Sequence, residues 1–300
     1  MLAPALHSAL QAAAGAALGA DFRIESAAPV AGGDIHHALR LTGGGTRVFV
    51  KWHADAASAD LFAAEADGLR ALARCDAFRV PAVLAQGSTA DAAFLMLEWL
   101  DLAPIRADTP ARRAGEALAA LHRCTGERFG WPRDNFIGAT PQANAPGDNW
   151  SRFFVRQRLA PQLERAAQRG FRGDLQKHGE RVCDKAPALF LDYRPAPSLL
   201  HGDLWSGNLA ALPDGTPALF DPAACFGDRE ADLAMTELFG GLPLAFYAAY
   251  REAWPPDEGY EVRKTLYNLY HVLNHLNLFG GGYLRQAERM AAALAAELGR

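Results

Sequence analysis

The feature with the widest reach is the stretch Leu199–Asn208, LLHGDLWSGN, followed by a second acid, Asp221, in ALFDPA. Two apolar residues lead into His201-Gly202-Asp203, and Asn208 stands five positions after the aspartate. A Pro-Asp-Gly turn at 213–215 leads on towards Asp221. A carboxylate in a tight loop can accept the proton of an attacking hydroxyl, while an amide oxygen and a further carboxylate can hold magnesium on nucleotide phosphates. Asp203 is thus the candidate base, and Asn208 and Asp221 are the candidate ligands of Mg2+, a hard cation that selects oxygen. His201 reads as a brace of that loop. Asp232, at the start of a helix expected over Asp232–Gly240, reads as an acceptor for the loop's backbone N–H groups. Trp205, inside the stretch, is placed to flank an acceptor.

The residues upstream read as the part that brings the nucleotide. Arg23–Val30, Ile35–Leu41 and Arg47–Trp52 alternate like strands, with Gly43-Gly44-Gly45 as a turn. Gly32 and Gly33 permit close backbone approach and could form a flap over phosphates, although VAGGDIHHALRL is not a GxGxxG motif. Lys51 ends the strand RVFVKW, and Glu65 lies in the first half of a helix expected over Ser58–Arg74. A strand lysine paired with a helix glutamate is how a kinase-like lobe presents an ammonium to α- and β-phosphates. Val83–Gln86 and Phe94–Leu97 complete a five-stranded sheet. Glu98 to Asp101 then marks a change to turn and helix, the place of a hinge whose backbone, at Glu98 and Leu100, would read an adenine edge.

Downstream, Thr109 is an expected N-cap before Pro110, opening a helix to His122. A long loop follows, Thr125–Asn149, in which Trp131 and Asn135, with Trp150 just beyond, are candidates for a sugar-sized pocket. Ser151–Arg169 and Gly173–Leu191 read as helices, with Arg156 and Arg158 on the first facing either the site or solvent. Asp228 and Glu230 read as solvated acids. The chain closes with helices over Pro243–Trp254, Tyr260–Phe279 and Tyr283–Leu298, and His275 and Asn277 are further candidates for binding hydroxyls. His271 and His275 have HxxxH spacing but lack the glutamate and third ligand of a zinc site.

Composition narrows the class. The 300 residues allow one large domain or two lobes; half are hydrophobic and 21% are charged, as in ordinary globular chains. A net charge of −4 argues against nucleic acid as a partner. Cys75, Cys124, Cys183 and Cys225 are scattered, with no CxxC pair, and are expected as reduced thiols of a cytoplasmic protein. The Ala-rich N-terminus has no Lys or Arg before Arg23 and reads as an amphipathic helix rather than a secretory signal. No apolar run reaches membrane-spanning length, so no membrane partner is expected.

Together these motifs resemble the fructosamine kinase (ketosamine 3-kinase) family of the aminoglycoside-phosphotransferase and protein-kinase-like superfamily. The resemblance runs through GGDIHHALRL, VFVKW, FAAEADGLRAL, LMLEWL, LLHGDLWSGN, FDPAACFGDREADLAM, ELFGGLP and NHLNLFGGGY, nearly the whole chain. It implies an α+β, bilobal, protein-kinase-like fold. Residues 1–100 would form an ATP-binding lobe with a five-stranded antiparallel sheet and a helix, and residues 101–300 a mainly helical catalytic lobe. It implies ATP and Mg2+, with phosphorylation of the O3 hydroxyl of a fructosamine, ribulosamine or erythrulosamine on a free or protein-bound amine. The 3-phosphate then eliminates and releases the amine, a deglycation. Some members carry a flap cysteine that links subunits; this chain has none there, and a monomer and a homodimer both stay open.

Other readings remain at this stage. One is a kinase of another alcohol on the same fold, such as an aminoglycoside, choline, homoserine or a sugar; another is a nucleotide-binding module without catalysis. A protein kinase fits poorly: only Pro222–Ala231 separates Asp221 from Asp232, and Trp205 stands where those enzymes carry a Lys or Arg.

Overall fold

The computed structural model describes residues 2–30 and 37–299. The flap glycines Gly32 and Gly33 lie outside the described residues. The first helix, α1 (Pro4–Leu18), buries Leu6, Leu10 and Ala14, one face at a spacing of four. It packs on the outer face of a five-stranded antiparallel sheet built from β1 (Ser26–Pro29), β2 (His37–Gly43), β3 (Thr46–His53), β4 (Val83–Ser88) and β5 (Ala93–Glu98), in the order β1-β2-β3-β5-β4. The helix α2 (Ala59–Arg74), between β3 and β4, covers the inner face.

The sheet therefore has two dry faces, and the continuous apolar run of β5 follows from that. Phe94 and Met96 join Leu6, Leu10, Val48 and Val50 on the α1 side. Leu95 and Leu97, one residue out of phase, join Phe62, Ala66 and Leu69 on the α2 side.

The helical half begins with a two-residue strand, β6 (Ala103–Pro104), and α3 (Asp108–His122). The helix starts ahead of the expected Thr109 cap: Ala107 holds the cap position and no side chain caps it. The long loop is less bare than its Gly, Pro and Asn content suggests. It holds a hairpin, β7 (Asn135–Ile137) and β8 (Thr140–Gln142), whose three-residue strands are too short for alternation to show. Next come α4 (Trp150–Phe154), a π-helical turn over Val155–Leu159, α5 (Ala160–Gln168) and α6 (Asp174–Lys185). Pro161 has no N–H to return to a preceding carbonyl, which fits the widened turn before it.

Four short strands then frame two loops: β9 (Ser198–Leu200), β10 (Leu209–Ala211), β11 (Pro217–Leu219) and β12 (Cys225–Gly227). β9 pairs with β12, and β10 sits between β11 and β6, all antiparallel. Residues 201–208 are thus held between β9 and β10, and Asp221 lies between β11 and β12. The helices α7 (Glu230–Leu238), α8 (Leu244–Ala253), α9 (Tyr260–Phe279) and α10 (Leu284–Glu297) complete the body. α3 crosses α8 so closely that a Cβ on Gly115 would lie 2.2 Å from the Phe246 carbonyl oxygen. No helix among the described residues is long and apolar enough to cross a membrane.

Two expectations are corrected. Asp228 and Glu230 are buried rather than solvated. Asp228 accepts hydrogen bonds from the hydroxyls of Tyr193 (2.8 Å) and Tyr267 (2.5 Å), and Glu230 takes a bidentate pair from Arg263 at 2.8 and 3.2 Å. Those partners come from positions 33 to 39 residues away, which local sequence does not show. Cys75 and Cys124, expected as free thiols, are paired as a disulfide with Cα atoms 6.3 Å apart, because the ends of α2 and α3 meet. Cys183 and Cys225 remain free.

Candidate active site

A cleft of about 1720 Å³ opens between the inner side of the sheet and the helical half. Lys51, Glu65, Glu98, Leu100, Asp203, Asn208 and Asp221 all line it. β3 carries Lys51 opposite Leu95, and its ammonium donates to Glu65 of α2 at 2.8 Å and to Asp221 at 2.5 Å. Burial pulls the lysine pKa down, but the charges of Asp221 and Glu65 outweigh it and hold the group above its ordinary value, so it stays an ammonium. Asp221 itself adopts a left-handed backbone, φ +59°, a conformation that costs a non-glycine residue and that β11 and β12 impose from either side.

The loop at 201–208 is fixed from beneath. Asp232, in the first turn of α7, accepts the backbone N–H of His201 at 2.6 Å and of Gly202 at 2.8 Å. These bonds and its contact with His122 hold its pKa low against the burial that would raise it. Gly202 has φ +83°, and a Cβ there would sit 2.1 Å from the Ala223 carbonyl oxygen, so only glycine fits. His201 is fully buried, and burial lowers its pKa, leaving a neutral imidazole. Its Nε2 lies 2.9 Å from the Phe220 carbonyl oxygen and must donate; Nδ1 then accepts the Asp203 N–H at 3.3 Å. The histidine therefore ties the Asp203 loop to the strand before Asp221.

Asp203 is only partly exposed, and its pKa is pushed up to about 7, first by burial and then by the charges of Asp221 and Asp232. Asn208 spends its amide nitrogen on Asp203, 2.9 Å from the backbone oxygen and 3.3 Å from the carboxylate. That leaves its Oδ1 as the atom able to serve a cation. This oxygen and the Asp221 carboxylate are both hard donors on the cleft wall, a pair that suits Mg2+ with water and phosphate oxygens in the other positions.

The hinge expectation falls on Glu98–Asp101. The Glu98 carboxylate turns away to Arg79 and the Ala82 N–H, and among the described residues no hydrogen bond engages the Leu100 peptide. The substrate candidates divide. Trp205, 39% exposed, and His275 line the cleft. Asn135 lines it too, but both lone pairs of its amide oxygen are taken, by Gln142 and Asn144, and its nitrogen donates to Ala224. Trp150 is core: it is buried, and its Nε1 donates to the Tyr267 hydroxyl at 3.0 Å. Asn277 is buried against Gln162 and does not line the cleft. Arg158 is likewise buried, bound to Ala143 and Asn144. The cleft also shows residues that sequence reasoning passed over, Phe239 and Tyr283, whose rings flank His275. Aromatic residues at helix ends gave no signal to separate them from core.

A family model described as fructosamine kinase matches residues 6–297. The chain belongs to the fructosamine kinase family. Among its relatives is a probable ketoamine kinase of Synechocystis sp., 47% identical over 91% of each chain. This family member also superposes on a crystal structure from Haemophilus somnus, named as a candidate fructosamine-3-kinase, with a TM-score of 0.87 and 27% identity over 95% of this chain and 96% of that one. An aminoglycoside phosphotransferase, APH(4)-Ia, matches 93% of this chain and 95% of its own at a TM-score of 0.61 and 16% identity, a likeness of fold alone. The fold is accordingly the bilobal, protein-kinase-like one, with the five-stranded sheet in one lobe and mainly helices in the other.

Proposed function

We propose that this chain is an ATP- and Mg2+-dependent kinase that phosphorylates the O3 hydroxyl of a ketosamine, a fructosamine, ribulosamine or erythrulosamine, and so promotes deglycation. The observation that carries the reading is the convergence of Lys51, Glu65, Asp203, Asn208 and Asp221 on one cleft in a fructosamine kinase family chain. In this account residues 1–100 form the nucleotide lobe and residues 101–300 the catalytic one. The main chain from Glu98 to Leu100 faces the adenine, and Lys51, kept charged and aimed by Glu65, holds the α- and β-phosphates. Asn208 and Asp221 hold the magnesium ion, which supplies positive charge against the phosphate oxygens when bound. Asp203 orients the acceptor hydroxyl and takes its proton. A carboxyl poised near neutral pH suits that task better than an ordinary aspartate, which is a weaker base. His201 and Asp232 hold the loop in register and touch neither reactant.

The test is release of ADP from Mg-ATP over a panel of a ribulosamine, a fructosamine, kanamycin, choline and homoserine. Turnover on the ketosamines alone is expected. Turnover on kanamycin, choline or homoserine instead would retain the chemistry and overturn the substrate class.

A further inference from the structure

The end of the cleft formed by the last turn of α9 has a chemistry of its own. His275 is the hub of an aromatic array, with ring centroids 4.6 Å from Phe239, 5.2 Å from Tyr283 and 5.5 Å from Phe279. These rings line the same cleft as Asp203 and Trp205, and Phe279 is 50% exposed, unusual for a phenylalanine in a folded chain. Phe239, Phe279 and Tyr283 bring no cation to the array, and His275 directs its Nδ1 to the His271 carbonyl oxygen at 2.9 Å. Among the described residues Lys51 is the one cation lining the cleft, and Glu65 and Asp221 already engage it. A ligand carboxylate at this end would meet aromatic faces, whose negative π-clouds repel it. A neutral ring or an ammonium would meet favourable partners, since ring faces attract both.

We infer that the array of Phe239, His275, Phe279 and Tyr283 is the subsite for the group attached to the acceptor's amine, and that it selects apolar or cationic amines and rejects carboxylates. The inference rests on the kinase reading above and adds the part of the substrate beyond the sugar. Phe279 is its main determinant, because it exposes the most surface of the four.

The experiment compares kcat/KM for ribulosamines made on benzylamine, methylamine and glycine. Wild type is expected to favour the benzylamine adduct over the glycine adduct by about tenfold or more. Phe279→Ala is expected to lower the benzylamine-to-methylamine ratio about tenfold, mainly through KM, and Phe279→Tyr to restore it. Equal use of the benzylamine and glycine adducts by wild type, or an unchanged ratio in Phe279→Ala, would overturn the subsite and leave the kinase reading standing. No turnover of any adduct by wild type would overturn both.

Discussion

At the residue scale, burial acts on the candidate base, Asp203, and an ion pair acts on the candidate metal ligand, Asp221. Asp203 gains basicity because its site raises its pKa to about 7, and the fold bears the cost. Near pH 3, below the ordinary aspartate pKa, folded and unfolded chains both keep the proton, so nothing is lost; above pH 7 both are ionised and only the folded chain must hide the charge. In nucleotide-free protein Asp203→Asn is therefore expected to be more stable than wild type at pH 8, by roughly 2 kcal/mol after allowance for partial exposure, with the gain vanishing towards pH 3. Thermal unfolding at the two pH values checks this; an equal gain at both would assign the effect to packing instead. Asp221 differs, since its carboxylate already accepts from the Lys51 ammonium at 2.5 Å. Asp221→Ala is expected to abolish the magnesium dependence of nucleotide binding, and calorimetry showing the same Mg-ATP affinity as wild type would refute that role.

At the scale of elements, what could be read in advance followed from periodicity and spacing. α1, α2, α9, α10 and the five-stranded sheet were legible because their apolar faces repeat along many residues. Lys51, Glu65, Asp203, Asn208 and Asp221 were legible as one group because their residue types recur at motif spacing, and the structure brings all five to one cleft. The hairpin β7–β8 was not legible, being too short for alternation. Nor was the fate of Trp150 and Asn277: a helical residue's direction depends on which neighbour covers it, and here Tyr267 and Gln162 do. The pair of Glu230 on α7 and Arg263 on α9 belongs to the same class, joined across 33 residues with side chains 0% and 3% exposed. Arg263→Ala should destabilise the protein by about 3–5 kcal/mol, because it leaves Glu230 buried without a counter-charge. A urea midpoint close to wild type would show that solvent reaches the site instead.

For the whole molecule, the question is how the sheet and the helical half are held together around the cleft. Three links join them along and just beyond α2. Arg79 donates its backbone N–H to the Pro217 oxygen of β11 and accepts from the Leu219 N–H, both at 2.9 Å; Arg133 reaches Asp60 and Asp67 on α2; and Cys75 is joined to Cys124 past the end of α3. The disulfide spans 49 residues, so its loss should cost about 2–4 kcal/mol through the freedom it returns to the unfolded chain. Cys75→Ser is expected to show that loss in oxidising buffer and none in dithiothreitol, where wild type falls to the variant's level. Identical denaturation of the two proteins in oxidising buffer would mean that the bond contributes nothing.

In the proposed reaction Asp203, with Lys51, Asn208 and Asp221, transfers phosphate to O3 of a ketosamine. Its most direct test is phosphorus–carbon NMR of a ribulosamine incubated with Mg-ATP and either wild type or Asp203→Asn. A single sugar phosphate, on O3, is expected with wild type, and formation slower by roughly two to four orders of magnitude with the variant. Phosphate on another oxygen, ATP consumed without a sugar phosphate, or a variant within threefold of wild type would contradict it.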